Sequence, residues 1–184
     1  MSTGIIGRLP VRKAIYSLLE AILRRICLGI DDLKMANSVH DVAAYILEKC
    51  GTISAMKLQK LVYYSQAWSL VWDERALFDE RIEAWANGPV VPELYAVHRG
   101  QFTVNTWVKG NASLIGTDAR ETIDAVIRDY GSKSAQWLSD LTHMEDPWRK
   151  ARRGCAPDER CSAEISKASL AEYYGSLPPD ANFA

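Results

Sequence analysis

Through most of this chain apolar residues recur every three to four positions, the spacing that lays them along one side of a helix. Val39, Val42, Ala43, Ile46, Leu47 and Cys50 make one such face. Ser38 opens it with Asp41 three residues on, a capping-box pattern with Asp in place of Glu, and Gly51 closes it. From Ser54 to about Trp72 a longer helix carries two adjoining stripes, Leu58, Leu61, Val62, Ser65, Trp68 and Trp72 beside Tyr64, Ala67 and Val71. A helix apolar over much of its circumference belongs at the centre of a fold. Its polar exceptions are Lys57, Gln59, Lys60 and Gln66.

Further on, Asp118 and Glu121 form a capping pattern for a helix through Ile123, Val126, Ile127 and Tyr130, with Gly131 as its stop. Trp137, Leu138 and Leu141 mark another that ends at His143. Asp146 as N-cap, with Pro147 in the first helical position, starts a short helix running to about Arg152. Ser166 caps the last helix, with Ile165 and Leu170 placed for a hydrophobic staple.

Between the helices the pattern changes. Ile82-Glu83-Ala84-Trp85 alternates as a short strand does, and Asn87-Gly88-Pro89 is a turn. Pro92 and Glu93 suit the first turn of a short helix that ends near Gly100. Scattered β-formers between Phe102 and Ile115 suggest a strand pair, and residues 154–163 read as a polar, mobile loop. The sum is a mainly α fold: a single compact helical domain with a short strand or hairpin element, plus an N-terminal amphipathic helix.

That helix belongs to residues 1–34, where Ile15, Leu18, Leu19, Ile22, Leu23 and Ile26 keep helical spacing between basic flanks. Arg8, Arg12, Lys13, Arg24, Arg25 and Lys34 outnumber Glu20, Asp31 and Asp32, so this extension is basic and the remainder acidic. Three readings compete: it lies on a membrane surface, it docks as an extra helix, or Met35 is the true start. The main domain is assigned to residues 35–178 and a frayed tail to residues 179–184.

A chain of 184 residues, 48% of them hydrophobic, can bury a core without disulfide or metal. A net charge of -1 steers it to neither nucleic acid nor an anionic membrane. Cys27, Cys50, Cys155 and Cys161 are scattered without a C-x-x-C pair, and no apolar run is long enough to span a bilayer, which implies a reduced, cytoplasmic protein. His40, His98 and His143 lie far apart with no second ligand at metal-like spacing, so no metal, cofactor or catalytic residue is assigned. His143 has Glu145 and Asp146 close by, as a general base does, but a histidine in a last helical turn also suits the dipole on its own. Arg149, Lys150, Arg152 and Arg153 form a short basic cluster that is more often a solvated face than a phosphate track.

The aromatic content is the unusual feature. Trp85 stands beside a rigid Gly88-Pro89-Val90-Val91-Pro92 segment, with Tyr63 and Trp68 as prospective neighbours. Such a segment either presents a fixed apolar ridge to a protein partner or turns the chain and packs inward; tryptophan and tyrosine are frequent interface anchors.

Four stretches together resemble a known family. Met56-Lys57-Leu58-Gln59-Lys60-Leu61-Val62-Tyr63-Tyr64-Ser65-Gln66-Ala67-Trp68 is similar to the K-L-Q-K-L-x-Y-Y-x-Q helix of SocA-like antitoxins, the Panacea domain. The run from Phe78 to Tyr95, with Glu83-Ala84-Trp85 and Gly88-Pro89-Val90-Val91-Pro92, resembles its second hallmark. Thr142-His143 through Pro147-Trp148, followed by Ala151-Arg152, resembles a third, and Ile165 to Tyr174 the closing helix. The resemblance covers about residues 38–178, in order. It implies an antitoxin, not an enzyme, that neutralises a toxin encoded beside it by direct binding. In one branch it implies an adaptor that delivers the toxin to the ClpXP protease. A DNA-binding autoregulator and a His143-dependent enzyme remain as alternatives from other classes.

Overall fold

Ser38 leaves an extended stretch and caps the first helix, α1 (Val39–Cys50), by accepting a hydrogen bond from the His40 N–H. The computed structural model describes residues 37–178. The helix expected within residues 1–34 and the tail at residues 179–184 lie outside them. The capping box of α1 forms only in half. Asp41 turns away to accept the Asn111 N–H, and Glu80, from a distant loop, accepts the neighbouring Val39 N–H.

A two-residue strand, β1 (Ile53–Ser54), leads into α2 (Ala55–Trp72), where the Ser54 side chain accepts from the Lys57 N–H. Around α2 stand α1, α4 (Thr117–Tyr130), α5 (Ala135–Met144) and α7 (Lys167–Ser176). Leu58, Leu61 and Val62 lose all their exposed surface to this surround, each contributing about 2 kcal/mol of hydrophobic stabilisation. The two-stripe reading of the helix is therefore sound. The surprise is that Gln59, Lys60 and Gln66, three of its four polar exceptions, are buried as well, while Lys57 stays part-exposed.

Their partners explain why. After α2 the chain turns at Asp73 and runs back along the helix toward its start. Ser69 Oγ donates to the Arg75 carbonyl. Gln66 accepts the Leu77 and Phe78 N–H groups at 2.7 and 3.2 Å and donates to the Phe78 carbonyl at 2.9 Å. Lys60 donates to the carbonyls of Asn87 and Pro89, and Gln59 exchanges two bonds with Val91 as a strand neighbour would. The order is reversed along the helix, so each buried polar residue holds the next piece of the returning chain. A buried irregular backbone has no ladder to pair with, and side chains must supply its partners.

The returning chain contains a hairpin, β2 (Glu83–Trp85) and β3 (Gly88–Val90), then α3 (Pro92–His98). Residues 102–115 hold no internal strand pair: β4 (Thr103–Val104) pairs with β1, and a 3₁₀ turn follows at Ala112–Leu114. Two expected caps move by a residue or two. Gly116 precedes α4, and Asp118 lies inside its first turn, where it meets Arg75. Glu145 occupies the cap position of α6 (Asp146–Ala151), and Asp146 is already helical.

The stretch at residues 154–163 is not a loose loop. Cys155 and Cys161 are joined by a disulfide, so the expectation of a wholly reduced chain fails there. Sequence alone could not show it, because two cysteines in a polar loop carry no pairing signal until the loop's path is known. Cys50, half-buried, is the free cysteine among the described residues. No helix among those residues is long and apolar enough to cross a membrane. The architecture is mainly α, with two small two-stranded sheets.

Replacing Gln66 with Leu keeps the shape but leaves two N–H groups and one carbonyl of the returning chain unpaired. Urea denaturation of Gln66→Leu should show unfolding free energy lower by about 2–4 kcal/mol.

Candidate functional site

The hairpin is where the sequence hallmarks meet. Its register sets Glu83 against Val90, Ala84 against Pro89 and Trp85 against Gly88. A proline is tolerated in β3 because its partner Ala84 sends its own N–H outward, to the Ala163 carbonyl. Gly88 has φ +96, and a Cβ there would lie 2.7 Å from both Lys60 Nζ and Thr142 Oγ1. Both the backbone conformation and the approach of Lys60 require glycine at this position.

Hairpin carbonyls are claimed from both sides. From below, Lys60 and Ser139 donate to Asn87 O. From the other side, Trp148 Nε1 donates to Trp85 O at 3.0 Å, and Arg152 donates to Ala84 O at 2.9 Å. The Trp85 ring packs edge-on against Tyr95, with centroids 4.7 Å apart, and its Nε1 donates to Glu83 at 2.7 Å. Glu83 is itself buried and paired with Arg81. Trp85 remains half-buried, with one face under the Arg160 guanidinium at 4.2 Å.

Of the residues singled out from the sequence, Gly88, Pro89, Val90 and Val91 are buried, whereas Trp85 and Pro92 reach the surface in part. Tyr63 is wholly enclosed and belongs with Trp68 to a second aromatic cluster. There Tyr63 and Trp68 each meet Tyr174 edge-on, and Trp68 stacks on Trp72. The ridge is thus mostly a buried keel with Trp85 at its exposed end.

Inside the second cluster lies Glu145, 1% exposed, accepting from Tyr174 OH at 2.7 Å and Tyr64 OH at 3.3 Å. Burial pushes its carboxyl up to about 8, against the pull of the two hydroxyls. Tyr63, Tyr64 and Tyr174 are raised well above the usual phenol value, again chiefly by burial. Burial acts in the opposite sense on Lys60 and lowers it to about 7. A neutral amine has two N–H donors, which matches the two carbonyls it meets.

His143 stacks on Trp148 at 4.2 Å, and its Nε2 is buried without a hydrogen-bond partner. Burial, then the charge of Lys60, holds its pKa below the ordinary histidine value. Neither neighbouring carboxylate orients it: Glu145 faces the tyrosines, and Asp146 pairs with Lys150 and Arg149. The basic cluster is divided in the same way. Arg152 is buried under the hairpin, while Arg149 and Lys150 stay exposed and pair with Asp146.

Sequence reasoning missed the roles of Gln59, Lys60, Gln66, Trp148 and Arg152. A signal existed for the first three. Polar residues on a helix apolar nearly all round must be buried, and buried polar groups take partners.

Glu145 and Lys60 give opposite pH dependences. The Glu145 value lies above its ordinary 4.5, so the stability it contributes is complete below 4.5 and lost as pH rises through about 8. The Lys60 value lies below its ordinary 10.5, so its contribution is present above 10.5 and lost as pH falls through about 7. Glu145→Gln removes the titration; its carbonyl oxygen still accepts from one tyrosine and its amide N–H donates to the other hydroxyl. Unfolding free energies measured from pH 4 to 9, a range framed by the two Glu145 values, should fall more with rising pH in the unmodified protein than in the variant.

Comparison with known proteins covers the second stretch and most of the first and third. The family model described as Antitoxin SocA-like, Panacea domain, matches residues 58–149, which span α2, the hairpin and the start of α6. Antitoxin SocA of Caulobacter vibrioides (strain NA1000 / CB15N) is 30% identical over 124 residues, a match covering 58% of this chain and 66% of that protein. No solved structure matches the chain. With half of its length under the family model, this chain belongs to the SocA-like antitoxin family.

Proposed function

We propose that this protein is a cytoplasmic antitoxin that neutralises a toxin encoded beside it by direct protein–protein binding, and that it has no catalytic role. Family membership and the name of the Caulobacter relative support the antitoxin reading. The observation that carries the binding reading is Trp85: a half-buried indole on a hairpin whose backbone is hydrogen-bonded from both faces. An anchor held in one conformation before binding loses little entropy on association. Pro92, also part-exposed, lies beyond the opposite end of the hairpin, with Gly88, Pro89, Val90 and Val91 as buried support.

The neighbouring reading frame, expressed alone and with this chain, tests the function. Growth arrest relieved by this chain, with both proteins co-eluting from a sizing column, is the expected result. Relief without a stable complex would favour delivery to a protease such as ClpXP. Trp85→Ala should retain its helical circular dichroism and weaken the complex by about 30-fold or more, the loss of a central aromatic anchor. Full neutralisation by a folded Trp85→Ala protein would move the binding surface elsewhere.

A further inference from the structure

The segment following α6 is built as a strap over the hairpin. Arg152 gathers it at its root, donating to the carbonyls of Ala156, Pro157 and Glu159 as well as to Ala84. Cys155 and Cys161 close a ring around that turn, with a sequence separation of 6. Arg160, the residue before the second cysteine, lies over the Trp85 ring. The chain then follows the outer edge of β2: Ala84 N–H donates to Ala163 O at 2.9 Å, and Ile165 N–H donates to Ile82 O at 2.8 Å. Glu164 forms a bridge with Glu83 between them.

The strap therefore covers two surfaces that a protein partner could use. One is the face of Trp85. The other is the β2 edge, whose backbone groups would otherwise be open to a strand from another chain. Both contacts are made by residues within or just beyond the disulfide ring.

We infer that residues 155–165 form a redox-latched strap, in which the Cys155–Cys161 bond keeps Arg160 on Trp85 and residues 163–165 on the edge of β2. A dithiol opens the latch. One reagent thiolate attacks a cysteine Sγ, the S–S bond breaks, and the other cysteine leaves as a thiolate that takes up a proton. The second reagent thiol then resolves the mixed disulfide, so the protein gains two thiols and the reagent becomes a cyclic disulfide. Loop-closure entropy for a ring of this size limits the open states by about 50-fold. Arg152 keeps its carbonyl bonds after reduction, so the strap opens more often while its root stays attached. The consequence for partner access rests on the Trp85 reading above; the opening itself does not.

Hydrogen exchange of the full chain, with and without dithiothreitol at one pH, tests the latch without any toxin. Mass shift on alkylation of the unfolded protein reports the state of each cysteine. The amides of Ala84 and Ile165 should exchange up to about 50-fold faster after reduction, with those of α2 unchanged. Cys155→Ser should reproduce the effect without reductant. Three results would overturn the latch: Cys155 and Cys161 found alkylated in the unreduced protein, unchanged exchange after confirmed reduction, or acceleration spread through α2. A failed latch leaves toxin binding standing, and a Trp85→Ala protein that still neutralises leaves the latch standing.

Discussion

A stretch of irregular backbone can be buried only if every peptide group finds a partner, and that requirement organises this fold. Residues 73–91 return along α2 with little regular structure of their own, so the helix must supply what a sheet would have supplied. Ser69, Gln66, Lys60 and Gln59 do so in turn. Each leaves a costly unpaired group if removed, which is a stronger constraint than any one apolar contact. The helix is thus both the hydrophobic centre and the template for the segment laid against it.

The same accounting explains why distant motifs behave as one unit. Lys60 reaches the hairpin from α2, Ser139 from α5, and Trp148 and Arg152 from α6 and its end. Glu145, at the junction of α5 and α6, ties those helices to α2 and α7 through Tyr64 and Tyr174. Burying Lys60 and Glu145 carries a desolvation cost that shows as their displaced titration, and neutral forms reduce it. A hairpin gripped in this way can hold one half-exposed tryptophan in a fixed orientation.

Much of the helical frame was legible in the sequence because periodicity and caps are local signals. Ser38, Ser54 and Ser166 take the capping roles their positions suggest. Asp118 and Asp146 do not, since a first-turn acid and an N-cap look alike until the backbone path is known. The turn was legible but lies one residue earlier, at Ala86 and Asn87, with Gly88 and Pro89 already in β3, and nothing marked Gly88 as the place where Lys60 needs room. The path of residues 154–163 was illegible for a related reason. Its order comes from one arginine, one disulfide and the edge of a strand far upstream, none of which leaves a pattern in the loop itself. At the candidate surface the alternation of apolar residues marked the strand of the hairpin, and only the packing showed which of them lie beneath the surface.

The reversed order of the grips along α2 also bears on how the chain is made. All of Gln59, Lys60, Gln66 and Ser69 precede the segment they hold, so on a ribosome the template emerges before its ligand. Trp148 and Arg152 emerge much later, and until they do the carbonyls of Trp85 and Ala84 have no protein donor from that side. The donors to the hairpin's inner side are thus made before those to its outer side. Synthesis supplies the outer grip on the hairpin last.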